Sequence, residues 1–252
     1  MGGCASSPAA APASASGKPP KPQAQGEGSD SETDEMPRML LVSSNLPDYE
    51  VVLQAATSNV VVVAVQYDSW SIEDLKAAII KRADEPDGDF SSIGIFDHGA
   101  PGEFCLLKSV KGGSIDLADT LSLFEENEVI AFIKWLATYL DKDEDPRIDL
   151  LGCSIAKGAR GEGLIAHLEK EIGVNFAAST DDTGVGKGAE NGKDFVMETE
   201  GDEFNVVDLY FEEDQINLWQ HTARGWFEHP QEILRRTRIR DKEIARARAR
   251  AP

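Results

Sequence analysis

The chain has 252 residues and a formal charge of −20 at pH 7, from 45 Asp and Glu against 25 Lys and Arg. That length can bury a substantial core in one domain with tails, and so acidic a balance excludes nonspecific nucleic-acid binding, which needs clustered basic side chains. Three cysteines, Cys4, Cys105 and Cys153, are too few and the wrong parity for a disulfide framework, which points to a reducing compartment. No apolar run reaches the roughly 18–20 residues that a membrane-spanning helix needs.

Met1-Gly2-Gly3-Cys4-Ala5-Ser6 fits the N-myristoylation pattern, with Gly2 as acceptor once Met1 is removed and Cys4 beside it as a palmitoylation site. One myristoyl chain binds a membrane only marginally, so a second acyl group would make the anchor stable. The plainer alternative is a tail of small residues without any modification. From Ser7 to Arg38 the composition is Ala, Pro, Ser, Gly and Gln with no apolar periodicity, the signature of a disordered spacer. Residues 1–38 therefore read as an acylated, flexible tether, placing the protein in the cytoplasm or on the cytoplasmic face of a membrane.

The folded part is expected over 39–211. Met39–Ser43 reads as a strand, a helix follows from Leu46 to about Thr57, and Val60–Val65, apolar without alternation, reads as a central parallel strand covered on both faces. Ser71 caps a helix with Asp74 at its third position, and Leu75, Ile79 and Ile80 form its apolar stripe. Ser92–Asp97 is the next strand. Glu103–Lys108 and Ser114–Leu117 suggest a hairpin, and Glu126–Leu140 a helix burying Val129, Phe132, Ile133, Leu136 and Leu140. Ile148–Cys153 is a strand, Gly163–Ile172 a helix and Val174–Ser179 a fifth strand; Asp194–Glu198 and Asn205–Leu209 suggest a final pair. Strands alternating with helices give an α/β fold, a three-layer α/β/α sandwich on a mainly parallel sheet. From Glu212 to Pro252 the chain turns basic and reads as a helical appendage.

The chemistry gathers at two strand ends. Phe96-Asp97-His98-Gly99 follows one strand and Leu150-Leu151-Gly152-Cys153 ends another, so neighbouring strands would deliver a histidine and a thiol to the carboxyl edge of the sheet, where such folds bind ligands. A thiol reacts as thiolate, and a nearby base supplies it. Singly, Cys153 also reads as a small core thiol and His98 as a loop histidine bonded to a backbone carbonyl. Together, flanked by glycines, they read as a nucleophile and general base facing one cleft, within several ångströms and with no side chain between them. Asp97 either orients His98 or meets a basic substrate residue. The glycine-rich turn after Cys153, leading to a helix, offers backbone N–H groups to an oxyanion.

These segments, with Ala177-Ala178-Ser179-Thr180-Asp181-Asp182-Thr183-Gly184, resemble the caspase-like cysteine peptidases, the clan of caspases, metacaspases, separases and gingipains. The caspase spacing, a histidine roughly 50 residues before the cysteine, fits His98 and Cys153. More narrowly the chain is similar, over about 39–208, to an uncharacterised caspase-like domain of large bacterial surface proteins. The Gln-Ala-Cys and Asp-x-Cys-His-Ser-Gly motifs of caspases and metacaspases are absent around Cys153. The resemblance implies a peptidase with Gly99 contributing its amide to the oxyanion site.

The expected activity is hydrolysis of peptide bonds in a peptide or protein substrate; the alternative is a noncatalytic interaction module, or one limited to self-cleavage. The acidic surface favours basic peptides, with Lys or Arg at the cleaved position. No cofactor is required. Asp181, Asp182 and Asp194 around the loop 183–188 offer a Ca²⁺ site by analogy with some metacaspases, although Asp and Gly are also ordinary turn residues. Cys105 reads as structural, and His167, His221 and His229 lack the spacing of metal ligands.

Overall fold

The computed structural model describes residues 36–84, 89–110, 114–116, 128–142, 145–185, 193–201 and 204–223. The acylation sites Gly2 and Cys4, the tether up to residue 35, His229 and the basic segment 224–252 lie outside the described residues. All that follows concerns the unit beginning at Glu35.

Five parallel strands make the central sheet: β1 (Arg38–Ser43), β2 (Val60–Val65), β3 (Ser92–Phe96), β7 (Arg147–Leu151) and β8 (Asn175–Ala178), in the spatial order β2-β1-β3-β7-β8. Short strands β4 (Gly99–Ala100), β5 (Glu103–Cys105) and β6 (Ser114–Asp116) form an antiparallel excursion after β3. Because side chains alternate across a strand, β1 sends Met39 and Leu41 to one face and Leu40 and Val42 to the other. The first face packs under α2 (Ile72–Ala83), α3 (Glu128–Leu136) and α4 (Gly158–Ile172). The second packs under α1 (Tyr49–Ala55), α5 (Val207–Tyr210) and α6 (Glu213–Ile216). The protein is thus the three-layer α/β/α sandwich read from the sequence.

The chain lays β1 first, adds β2 on one side, where Val60–Val65 forms an edge strand rather than the central one expected, then places β3, β7 and β8 on the other. The order reverses between β1 and β3, and at such a switch point the loops leaving the carboxyl ends diverge and open a crevice. Asn45 follows β1 and His98 follows β3, so both stand at that crevice, with Cys153 after β7 one strand further on.

Local signals account for most elements. Ser71 and Asp74 form the reciprocal capping box at the start of α2, and Leu75 and Ile79 are buried as expected; Ile80, assigned to the same stripe, is 47% exposed. The helix expected from Leu46 starts at Tyr49, because Asp48 adopts left-handed backbone with φ of 48°. Helix α4 begins at Gly158 rather than near Gly163. A Cβ on Gly161 would stand 2.2 Å from the Ala156 carbonyl carbon, so glycine there lets the first turn lie against the loop instead of ending the helix.

Among the described residues the final pair of segments meets at one antiparallel bridge, Val196 with Asn205, and is otherwise not extended as expected. Lys193–Asp194 (β10) pairs in parallel with Asp182–Thr183 (β9), Glu198–Glu200 is a 3-10 turn, and Val207–Tyr210 is helical. Asp194 Oδ1 and Asn205 Oδ1 each accept from the backbone N–H two residues on, and such side-chain turns compete with extension. The expected C-terminal boundary also shifts. Arg38 belongs to β1, and beyond residue 211 Ile216, Trp219 and Ala223 are buried, so the packed part continues to Ala223. Among the described residues no helix is long and apolar enough to cross a membrane.

Candidate functional site

His98, 4% exposed, is fixed by the loop that follows β1. Its Nε2 lies 3.0 Å from the Asn45 carbonyl oxygen. A carbonyl only accepts, so Nε2 carries the proton, and the neutral ring presents the lone pair of Nδ1. Among the described residues Nδ1 is buried without a hydrogen bond. Asp97 does not hydrogen-bond the imidazole: its Oδ1 accepts from the His98 backbone N–H at 2.6 Å and from Asn45 Nδ2 at 3.2 Å, tying the histidine's own backbone to the loop that orients the ring. At 1% exposure Asp97 is also closed to a basic substrate side chain.

Cys153, 1% exposed, follows β7 in a sharp turn. Ser154 has φ of 57°, a strained conformation for a residue with a Cβ, and is held there by its backbone N–H and its hydroxyl, both donating to the Asp181 carbonyl. Two further amides of the turn are engaged: Ala156 donates to Ser179 and Lys157 to Ser154. Of the turn expected to offer amides to an oxyanion, the N–H of Cys153 itself is the one that meets an amide from the other loop on a shared acceptor. Gly99 and Gly152 let the two loops meet backbone to backbone, since a Cβ on Gly99 would stand 2.6 Å from Ile155 Cγ1 and 2.9 Å from the Cys153 carbonyl oxygen.

Two amides from the two loops converge on one atom. Gly99 N–H at 3.1 Å and Cys153 N–H at 3.2 Å both donate to the carbonyl oxygen of Ala223, which lies far along the chain. The Ala223 N–H donates to the Thr183 carbonyl at 2.9 Å, and the Cys153 thiol donates to that same oxygen at 3.5 Å. The thiol and the Ala223 N–H thus share the Thr183 carbonyl, and the Ala223 carbonyl also acts on the His98 ring. The expected cleft is filled by the chain's own segment: Trp219 is buried edge-on to Phe96 with its indole N–H on the Pro47 carbonyl, and His221 Nε2 lies 2.8 Å from Asp48 Oδ2. His221, given no role in the sequence, pins this segment to the loop that carries Asn45.

Burial shifts both titrating groups toward neutrality. Desolvation pushes the Asp97 carboxyl up to about 7, against hydrogen bonds from Ser43, the His98 backbone and Asn45 that pull it down. Desolvation likewise lowers the pKa of His98, offset in part by the carbonyls of Asn45 and Ala223. A neutral imidazole with an unengaged Nδ1 is the form that can take a proton from a thiol.

Carboxylate oxygens of Asp181, Asp194 and Glu198 lie within 4.8 Å of one another, and burial and the neighbouring charges of Glu198 and Asp194 raise the Asp181 pKa. Glu198 joins two of the three acids expected to face a cation, while Asp182 is not in the cluster. Cys105 is buried in the excursion with its N–H on the His98 carbonyl, a structural place. Sequence reading missed Asn45, Thr183 as an acceptor, and Ala223. Asn45 was findable as the polar residue leaving the strand beside the switch point; nothing local marks Ala223.

No curated protein and no solved structure matches the chain. A family model described as "Domain of unknown function (DUF4347)" matches residues 39–223, ending at the residue whose carbonyl the two amides hold. The chain belongs to that family.

Proposed function

We propose that the protein is a caspase-like cysteine endopeptidase, with Cys153 as nucleophile and His98 as general base. The observation that carries the reading is the convergence of the Gly99 and Cys153 amides on one carbonyl oxygen, in loops that also bear a buried thiol and a histidine whose Nδ1 makes no hydrogen bond. Two preset N–H donors are what a developing oxyanion needs, and being fixed by the loops they require no reorganisation during reaction. In this reading Nδ1 takes the thiol proton and later protonates the leaving amine. The Asn45 carbonyl holds the tautomer, and Asp97 holds Asn45. Asn45 and Asp97 are positioning residues, and the oxyanion role of Gly99 is the one its resemblance to the clan implies.

Burial of Cys153 and His98 favours a second reading, a noncatalytic module that keeps the constellation without turnover. Hydrolysis of a peptide library separates the two. The peptidase reading expects cleavage that Cys153→Ala abolishes, that His98→Ala lowers by about 10²–10⁴-fold, and that Cys105→Ala retains. Cleavage of no peptide, with circular dichroism showing a folded protein, would leave the module. Acylation of Gly2 and Cys4 is part of the proposal and would place the enzyme on the cytoplasmic face of a membrane. Labelling with a clickable myristate analogue, lost in Gly2→Ala, tests it.

A further inference from the structure

We infer that the site cuts added extended peptides after a small residue, Gly, Ala or Ser, which takes the place that Ala223 fills here; this rests on the dyad reading above. The chain's own segment shows how a peptide backbone seats. Thr222 forms an antiparallel bridge with Gly184, and the Ala223 N–H donates to the Thr183 carbonyl at 2.9 Å, so the segment runs as an added strand along Thr183 and Gly184. Gly184 admits it: a Cβ there would stand 2.5 Å from the His221 carbonyl oxygen and 3.0 Å from the Thr222 Cα. The Ala223 carbonyl then meets both the Gly99 and the Cys153 amides. A carbonyl on two preset donors is the one a nucleophile would attack, so the side chain of that same residue is the one the site reads.

That side chain is enclosed. Ala223 is fully buried, in one apolar cluster with Phe96, Leu151, Cys153 and Trp219. A packed interior has no spare volume for a long side chain, and the Lys or Arg expected from the acidic surface would carry a charge into apolar surroundings, where buried Asp97 is closed to it. A peptide can take this place without dismantling the enclosure. Trp219 is anchored on Phe96 and on the Pro47 carbonyl, whereas the residues after it are pinned by the solvent-exposed contact of His221 with Asp48. Breaking that contact frees residues 220–223 to swing out, and a peptide then takes the same backbone partners while Trp219 stays. Hydrolysis adds one water across the bond after the small residue, leaving its carboxylate and the amine of the residue that follows.

Internally quenched peptides containing Gln-His-Thr-X, the segment's own run with X at the place of Ala223, test the inference on the full chain, with X as Gly, Ala, Ser, Leu, Lys or Arg. The expected result is cleavage after X, with kcat/KM about 10²-fold or more higher for Gly, Ala and Ser than for Leu, Lys and Arg. It is absent from Cys153→Ala and Cys153→Ser that circular dichroism shows to be folded. In His221→Ala, where the segment is released more readily, every rate rises and the order of X is unchanged. Cleavage that depends on Cys153 but shows no preference, or favours Leu, Lys or Arg, overturns the inference and leaves the dyad standing. Rates that fall in folded His221→Ala, or an order of X that changes there, overturn the exchange of segment and peptide on which the inference depends. No cleavage in either the wild type or His221→Ala, or cleavage that persists in Cys153→Ala, overturns the dyad and the inference together.

Discussion

Glycine at position 99 is required twice over, by the close approach of the two loops and by the amide it aims at Ala223. Gly99→Ala should therefore lower stability by about 1–3 kcal/mol, the range for forcing a methyl into a packed site, and remove activity beyond what stability explains. Urea unfolding read beside peptide hydrolysis checks both parts, and unchanged stability would refute the close packing. Asp97 makes a pH prediction. Its folded pKa of about 7 lies above the ordinary 3.8, so between these values the folded state keeps a proton that the unfolded state has lost. Its contribution is most favourable below 3.8, declines as pH rises to about 7 and is flat above, a change on the order of 4 kcal/mol. Asp97→Asn keeps an acceptor at Oδ1 and removes the titration. The variant should gain stability over the wild type as pH rises from about 4 to about 8; thermal unfolding curves that run parallel across that range would contradict the burial of an ionisable Asp97.

At the scale of elements, most of the sheet and the α2, α3 and α4 face were legible because their cues are local: the apolar run of β1 and the capping box at Ser71; the unbroken Val60–Val65 run marked a strand but not its place at the sheet's edge. The strand ends bearing His98 and Cys153 were legible for the same reason, since each closes an apolar run. The far side was not. Tyr210 follows a segment expected to be a final strand, yet it sits on α5 with its hydroxyl donating to Asp149 Oδ2 at 2.6 Å and 2.8 Å from Ser92 Oγ, while Arg147 holds the other oxygen of Asp149. Asp149 is fully buried, and Tyr210 is far from it in sequence, so no periodicity announces the pair. Gly94 leaves room for this tyrosine, as a Cβ there would meet its ring at 3.0 Å. Tyr210→Phe takes a charge-assisted hydrogen bond from a buried carboxylate and should cost about 1.5–3 kcal/mol by denaturant unfolding. No measurable loss would mean that Arg147 alone satisfies Asp149.

For the whole molecule, the boundary decides the reading. A domain ending at 211 leaves Ile216, Trp219 and Ala223 in an appendage, when these side chains complete the second core and the segment closes the site. A segment that returns to a sheet edge from a distance leaves only scattered apolar residues among polar ones, Ile216 and Trp219 among them, and that pattern is weak. Truncation makes the difference measurable. Removing residues 1–35 should leave the melting temperature unchanged, whereas ending the chain at 211 uncovers Phe96 and Cys153 and should lower it markedly, because a buried Trp is lost. Equal stability of the two truncations would contradict the packing of the segment.

The dyad itself is tested most directly by an active-site-directed peptidyl acyloxymethyl ketone, with the adduct located by peptide mapping in wild type, His98→Ala and Cys105→Ala. The dyad predicts an adduct on Cys153 in the wild type and in Cys105→Ala, and its loss in His98→Ala, where no base prepares the thiolate. An adduct on Cys105, none at all, or one on Cys153 undiminished without His98 would contradict it.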